Sequence, residues 1–143
     1  MTPEAAIDRL TAFYEQLTPA SLSALPALYA PRARFKDPFN DVRGVASIQT
    51  VFQHMFHTLD VPRFVVQRRV QQGRECFLVW EFHFRFKRSE VTQTVRGTSH
   101  LLLDRHGRVL LHRDYWDPAE ELYAKLPLLG PLMRWLTRRL QAR

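Results

Sequence analysis

Cysteine is nearly missing from this chain of 143 residues, with Cys76 standing alone. One cysteine excludes an internal disulfide and any metal site built from several thiolates. The sequence also lacks a run of about 18 apolar residues, so no transmembrane helix is expected. It opens on Thr2-Pro3-Glu4. With no basic segment leading into an apolar one, no secretory signal is expected, and the cytoplasm is the default location. No cofactor-binding motif is present, so no cofactor is expected.

Acidic residues are scarce relative to basic ones, 14 against 21, which leaves a formal charge of +7. That balance raises nucleic acid or an anionic membrane as a partner. Arg134, Arg138, Arg139 and Arg143 hold part of the surplus in a tail without acids, and the rest is scattered. No nucleic-acid motif occurs, and the aromatic residues follow apolar patterns rather than a basic patch. Nucleic acid is therefore not an expected partner.

What is present reads as helices followed by strands. Thr2-Pro3 pairs an N-cap with proline at the first helical position, and Ile7, Leu10, Tyr14 and Leu17 recur at helical spacing beside Phe13. Thr18-Pro19 repeats the start signal for a short helix carrying Leu22, Leu25 and Leu28-Tyr29, with Pro26 early in it or kinking it. Arg32–Lys36 alternates like a short strand and stops at Asp37-Pro38. Gly44 precedes a third helix with Val45, Ile48, Phe52, Met55 and Leu59 on one stripe. From Pro62 the period falls to two, and strands are expected over 64–72, 75–87, 91–103 and 108–117, the last two joined by the turn Asp104-Arg105-His106-Gly107. Residues 119–143 return to a helical pattern, interrupted at Pro127 and at Gly130-Pro131.

Helices first and strands after predict an α+β fold. A long curved sheet wrapped around the helices makes a cone with an apolar interior. The expected organisation is a cone domain over 1–118 and an amphipathic helical extension over 119–143.

Two strands carry the candidate chemistry. In 75–87, Leu78, Trp80, Phe82, Phe84 and Phe86 share one face, while Glu81, His83, Arg85 and Lys87 share the other. In the last strand, alternation sends His112, Asp114 and Trp116 to one face and Arg113, Tyr115 and Asp117 to the other. Either the first of those faces looks into a cavity and is a site, or the segment is an edge strand with solvated polar residues.

Two segments resemble a known superfamily. Leu28-Tyr29-Ala30-Pro31-Arg32-Ala33-Arg34-Phe35-Lys36-Asp37-Pro38 is similar to the stretch of ketosteroid isomerase that carries its general base. Gly107-Arg108-Val109-Leu110-Leu111-His112-Arg113-Asp114-Tyr115-Trp116-Asp117 is similar to the last strand of limonene epoxide hydrolase, which holds a catalytic aspartate. With the element order, these resemble the nuclear transport factor 2-like superfamily, which also contains SnoaL-like polyketide cyclases. The resemblance covers about residues 4–118. It implies a cystatin-like α+β roll whose sheet is antiparallel or mixed.

Carried over by position, Asp37 matches the isomerase base and Asp114 the hydrolase and cyclase aspartate. The isomerase pattern also needs a tyrosine and a protonated aspartic acid as an oxyanion hole. Here those positions fall on Phe13, with Tyr14 one residue away, and near Ser99, with His100 adjacent on the opposite face. In the hydrolase pattern Phe35 replaces a tyrosine and Asp37 an asparagine, while Trp80, Phe82 and Phe84 occupy the face where an arginine and a second aspartate belong. The resemblance therefore implies Asp37 and Asp114 converging on an aromatic cavity, with His112 as a third titrating group. Two carboxylates in one apolar pocket divide into an acid and a base. That suits isomerisation, dehydration or aldol-type cyclisation of a small hydrophobic molecule without a cofactor. The expected wall is Phe13, Tyr14, Phe35, Trp80, Phe82, Phe84, Ser99 and Trp116. The competing reading is a non-catalytic ligand- or partner-binding module, in which Asp37 caps a turn and Asp114 pairs with Arg113 or Arg96.

Other groups weigh less. His54 and His57 share a side of the third helix, but metal would need His112 or Asp37 as a further ligand, and none is expected. Cys76 reads as a small core residue. The superfamily often pairs subunits through the outer sheet face, so a homodimer is expected, with Glu81 and Arg85 across the interface. The tail's Leu122, Leu126, Leu129, Leu132, Met133, Trp135, Leu136 and Leu140 either pack over the sheet and close the cavity, or touch an anionic membrane peripherally with Trp135 and the arginines at its surface.

Overall fold

The computed structural model describes residues 1–123 and 129–141. Its first helix, α1 (Pro3–Glu15), starts where Thr2 Oγ1 accepts the Ala5 N–H at 3.1 Å. That contact satisfies one of the donors that a helix start leaves free. Ala6, Ile7, Leu10 and Tyr14 form its buried stripe. A 3₁₀ turn (Ala20–Ala24) leads into α2 (Leu25–Leu28), and Pro26 sits in the first turn of α2, where no N–H is needed.

Strand β1 (Tyr29–Lys36) begins three residues before the expected start at Arg32. Tyr29 therefore belongs to a strand rather than to the preceding helix. Pairing overrides local pattern here, because β1 runs parallel to β6 (Val109–Tyr115) with Tyr29 opposite Val109. A turn at Asp37–Asn40 returns the chain as β2 (Asp41–Arg43), a three-residue edge strand with too few residues to show alternation. Gly44, at φ 96, opens α3 (Val45–Thr58), whose buried residues are Ile48 and Phe52. That backbone angle is one that glycine adopts without strain.

Strand β3 (Leu59–Gln72) starts five residues before the expected Phe64 and runs through Pro62. The register shifts between Asp60 and Arg63, and Val61 has φ 50. Pro62 thus sits in a bulge on an edge strand, one of the few strand positions a proline tolerates. Strands β4 (Glu75–Phe86) and β5 (Thr92–Leu103) complete an antiparallel meander with β3 and β6. The sheet order is β2-β1-β6-β5-β4-β3, a mixed sheet in which β1–β6 is the parallel seam.

The fold is α+β, with the N-terminal helices on one face of a curved, unclosed six-stranded sheet. As the pleat predicts, Cys76, Leu78, Trp80 and Phe84 of β4 are buried, with Phe82 and Phe86 packed on the same core. Helices α1 and α3 meet the sheet through β1 and β3. After β6 come α4 (Pro118–Glu121) and α5 (Leu129–Leu140). Gly130-Pro131 lies in the first turn of α5 and does not interrupt it, since proline is tolerated there. The expected interruption at Pro127, and Leu126, lie outside the described residues. Among the described residues no helix is long and apolar enough to cross a membrane.

One close approach fixes the largest side chain on the inner face. Gly97 of β5 lies opposite Trp80 of β4, and a Cβ at residue 97 would stand 2.4 Å from the indole. Gly97→Ala should therefore displace Trp80 and cost about 1–3 kcal/mol. Thermal unfolding should show a melting temperature lower by about 3–10 °C; an unchanged value would mean that the indole does not need this space.

Candidate functional site

Alternation along β6 turns His112 and Asp114 inward together, and residues two apart on one strand can bond directly. His112 Nε2 lies 2.8 Å from Asp114 Oδ1. The imidazole is 4 % exposed, and its Nδ1 lies 2.7 Å from the Tyr29 hydroxyl. That hydroxyl is in turn 2.7 Å from the hydroxyl of Tyr14. In the neutral tautomer that donates from Nε2, Nδ1 accepts from Tyr29, and Tyr29 accepts from Tyr14. The chain of bonds thus runs from α1 through β1 to β6.

A second branch reaches the same oxygen. Trp80 Nε1 donates to Ser99 Oγ at 2.8 Å, and Ser99 Oγ donates to Asp114 Oδ1 at 2.5 Å. Asp114 Oδ1 therefore takes two donors, whereas Oδ2 has no hydrogen-bond partner among the described residues. Burial pushes Tyr14 and Tyr29 well above the ordinary phenol value, so both stay protonated and able to donate.

Asp114 borders a cavity of about 300 Å³ between α3 and the sheet. Its walls are mainly aromatic: Phe35 from β1, Phe64 from β3, Phe82 and Phe84 from β4, and Trp116 just past β6. Phe64 stacks on Phe82 at 4.5 Å between centroids, and Phe39 meets Trp116 edge-on at 5.6 Å. A smaller pocket of about 30 Å³ sits behind the carboxylate, bordered by Tyr14, Trp80, Ser99 and His112 among others.

Asp37 lines the main cavity too, so the two expected carboxylates do face one space. Its side chain is engaged within its own turn. Oδ1 accepts the Phe39 and Asn40 backbone N–H groups at 2.8 and 2.7 Å, and the Asn40 amide reaches both oxygens.

Of the expected wall residues, Phe35, Trp80, Phe82, Phe84 and Trp116 line the main cavity, and Tyr14 and Ser99 line the smaller one. Phe13 lines neither; it is half-buried, with its ring stacked on Tyr14. The expectation that Asp114 pairs with Arg113 or Arg96 is corrected, because both arginines lie on the other side of the pleat. Arg113 covers the Tyr115 ring at 4.6 Å, and Arg96 lies 3.8 Å from Glu81. Glu81 itself contacts His83 at 3.3 Å.

Sequence reasoning missed Tyr29 and Asn40 as site members. Tyr29 was hidden by Leu28-Tyr29 following a helical spacing, and only its place in β1 beside Val109 brings it to the site. Asn40 carries no pattern of its own.

His54 lines the cavity rim, while His57 does not. Among the described residues no three His, Cys, Asp or Glu side chains gather as a metal set, and both nitrogens of His112 are already occupied. Burial pushes the Cys76 thiol up to about 11, which makes it a poor nucleophile.

Solved structures share this architecture at low identity. A protein with a ketosteroid isomerase-like fold from Catenulispora acidiphila, in complex with trimethylamine, is 14 % identical with a TM-score of 0.70, covering 85 % of this chain and 92 % of its own. A putative SnoaL-like polyketide cyclase from Jannaschia sp. CCS1 is 13 % identical with a TM-score of 0.68, covering 78 % and 85 %. An LEH-like epoxide hydrolase from M. tuberculosis is 17 % identical with a TM-score of 0.68, covering 96 % of each. No curated protein matches the sequence. The SnoaL-like domain description matches residues 10–112, from the middle of α1 to the histidine that holds Asp114. With most of its length inside that match, the chain belongs to the SnoaL-like domain family.

Proposed function

We propose that this protein binds a small hydrophobic molecule in the cavity between α3 and the sheet and moves a proton on it with Asp114, as an isomerase, cyclase or dehydratase does. One observation carries the reading. Asp114 has one oxygen fixed by His112 and Ser99, and its carboxylate borders an aromatic cavity. A carboxylate held in this way is positioned for general acid–base work.

On a ligand with a carbonyl group, Asp114 Oδ2 takes a proton from the neighbouring carbon, and the C–H electron pair moves into the enolate. The same oxygen then returns the proton to a different carbon, so the step balances without an added reactant. His112 keeps the carboxylate in place through Nε2–H, and the two tyrosines fix the imidazole's tautomer. The polyketide cyclase and epoxide hydrolase among the similar structures support this class of chemistry, and the trimethylamine complex supports small-molecule binding. Asp37 is assigned a supporting role at the mouth, because its oxygens already serve the turn. The second reading is ligand binding without turnover, favoured by Asp37 being engaged in this way.

The pairing mode proposed is a homodimer through the outer sheet face. Val70, Phe77, Val79 and Tyr115 are exposed there, and Phe77 stacks on His100 at 4.5 Å. Val70 opposite Phe77 and Thr98 opposite Tyr115 place them on adjoining strands.

Three outcomes are expected. With a substrate identified by mass spectrometry of co-purified material, Asp114→Asn should lower kcat by about 10²–10⁴ while ligand affinity stays within about tenfold. Unchanged turnover would sink the mechanism, and a ligand that binds but is never turned over would establish the second reading. Phe77→Glu should convert a dimer to a monomer in light scattering, and a wild-type monomer would refute the interface. Alkaline titration tests the buried tyrosines. Their folded values lie above the ordinary 10.0, so their stabilising contribution is complete below pH 10 and is lost as pH climbs. The urea midpoint should fall above pH 10, and Tyr14→Phe with Tyr29→Phe should flatten that fall.

A further inference from the structure

Helix α5 contributes nothing to the main cavity among the described residues. Its exposed apolar side chains are Leu132 at 49 %, Trp135 at 48 %, Leu136 at 37 % and Leu140 at 84 %. Leu132, Leu136 and Leu140 are four residues apart, so they form one stripe along the helix, and Trp135 flanks it. Arg134 and Arg138 project from the opposite side. Arg139 lies next to the stripe, its guanidinium 5.4 Å from the centre of the Trp135 ring. The sequence holds no acidic residue from Leu122 to Arg143.

The charge pattern selects the occupant. A second copy of α5 laid stripe to stripe would bring Arg139 against Arg139 with no acid in either helix to offset them, which costs energy. An anionic lipid surface supplies both needs: hydrocarbon for the leucines and negative headgroups for the arginines. Tryptophan beside arginine at the edge of an apolar stripe is the pattern of helices lying in the headgroup layer. Twelve residues reach about 18 Å, too short to span a hydrocarbon core of about 30 Å.

We propose that α5 is an interfacial anchor that lies flat on an anionic membrane, with Leu132, Leu136 and Leu140 in the acyl boundary, Trp135 and Arg139 at the headgroups, and Arg134 and Arg138 on the water-facing side. This holds whether or not Asp114 is catalytic, because among the described residues none of α5 lines the main cavity.

The test is flotation of the full chain with vesicles of phosphatidylcholine alone or mixed with phosphatidylglycerol. The protein should float with the mixed vesicles, and more weakly as salt rises. Arg139→Gln should lower the partition coefficient about fivefold, and replacing Arg134 and Arg138 as well should lower it further, by less than about fivefold for each charge. Leu136→Asp should lower it at least about tenfold, whereas Arg105→Gln, which removes one charge from an exposed turn, should change it less than about threefold. Circular dichroism establishes that each variant is folded. Failure of the wild type to float with mixed vesicles at low salt overturns the proposal. So does a Leu136→Asp variant that floats as well as the wild type, since surface charge alone would then suffice. Oligomers that Leu136→Asp abolishes, without vesicle binding, would assign the stripe to a second copy instead.

Discussion

The contact between the His112 imidazole and the Asp114 carboxylate is the constraint around which the inner face of this sheet is organised. Both groups sit among aromatic side chains, where an unsatisfied polar atom costs on the order of 2 kcal/mol or more. Each atom of the pair that faces protein is accordingly met. Tyr29 takes Nδ1, Tyr14 takes Tyr29, Ser99 shares Oδ1, and Trp80 holds Ser99. Those partners come from α1, β1, β4 and β5, so one polar chain sets the relative positions of a helix and four strands. The close fit of Trp80 over Gly97 belongs to the same arrangement, because an indole displaced from that seat could not hold Ser99.

The pleat sorts charge as effectively as it sorts hydrophobicity. Arg113 of β6, Arg96 of β5 and Glu81 of β4 fall outward, where Arg113 covers the Tyr115 ring and Arg96 lies near Glu81. The two carboxylates that line the main cavity are Asp37 and Asp114. One ends β1 and serves the hairpin to β2; the other sits at mid-sheet on β6 and keeps an oxygen free. Their difference is therefore a matter of backbone, since Asp37 sits where N–H groups of a turn converge and Asp114 where a regular strand leaves none to spare.

Much of the fold was legible in the sequence because its periods are strong. The aromatic alternation of 75–87 and the Thr2-Pro3 start needed no tertiary information. The short β2 was not legible because three residues are too few to show alternation, and the early start of β3 was not because pairing across a bulge overrides the local signal at Pro62. His112 and Asp114 could be named from alternation along the last strand, whereas Asp37 could be named only through the resemblance of its segment to that of ketosteroid isomerase. Tyr29 could not, because Leu28-Tyr29 follows the helical spacing of Leu22 and Leu25 and only the parallel partner Val109 reassigns it. The partners of Asp114 were misjudged for a related reason. Proximity in sequence favours Arg113, whereas the pleat places that guanidinium on the far side of the sheet.

The parallel seam between β1 and β6 also has a consequence in time. The Tyr29 hydroxyl meets an imidazole 83 residues further along the chain, and parallel strands so distant in sequence close slowly. During synthesis the meander β3–β5 can pair before β6 has been made, but the cavity then lacks Asp114 and has one open side. Arrival of the last strand installs the imidazole, the carboxylate and the Trp116 wall together. A nascent or truncated chain ending before residue 112 would therefore carry most of the sheet but neither His112 nor Asp114, so completion of the fold and assembly of the His112–Asp114 pair are a single event.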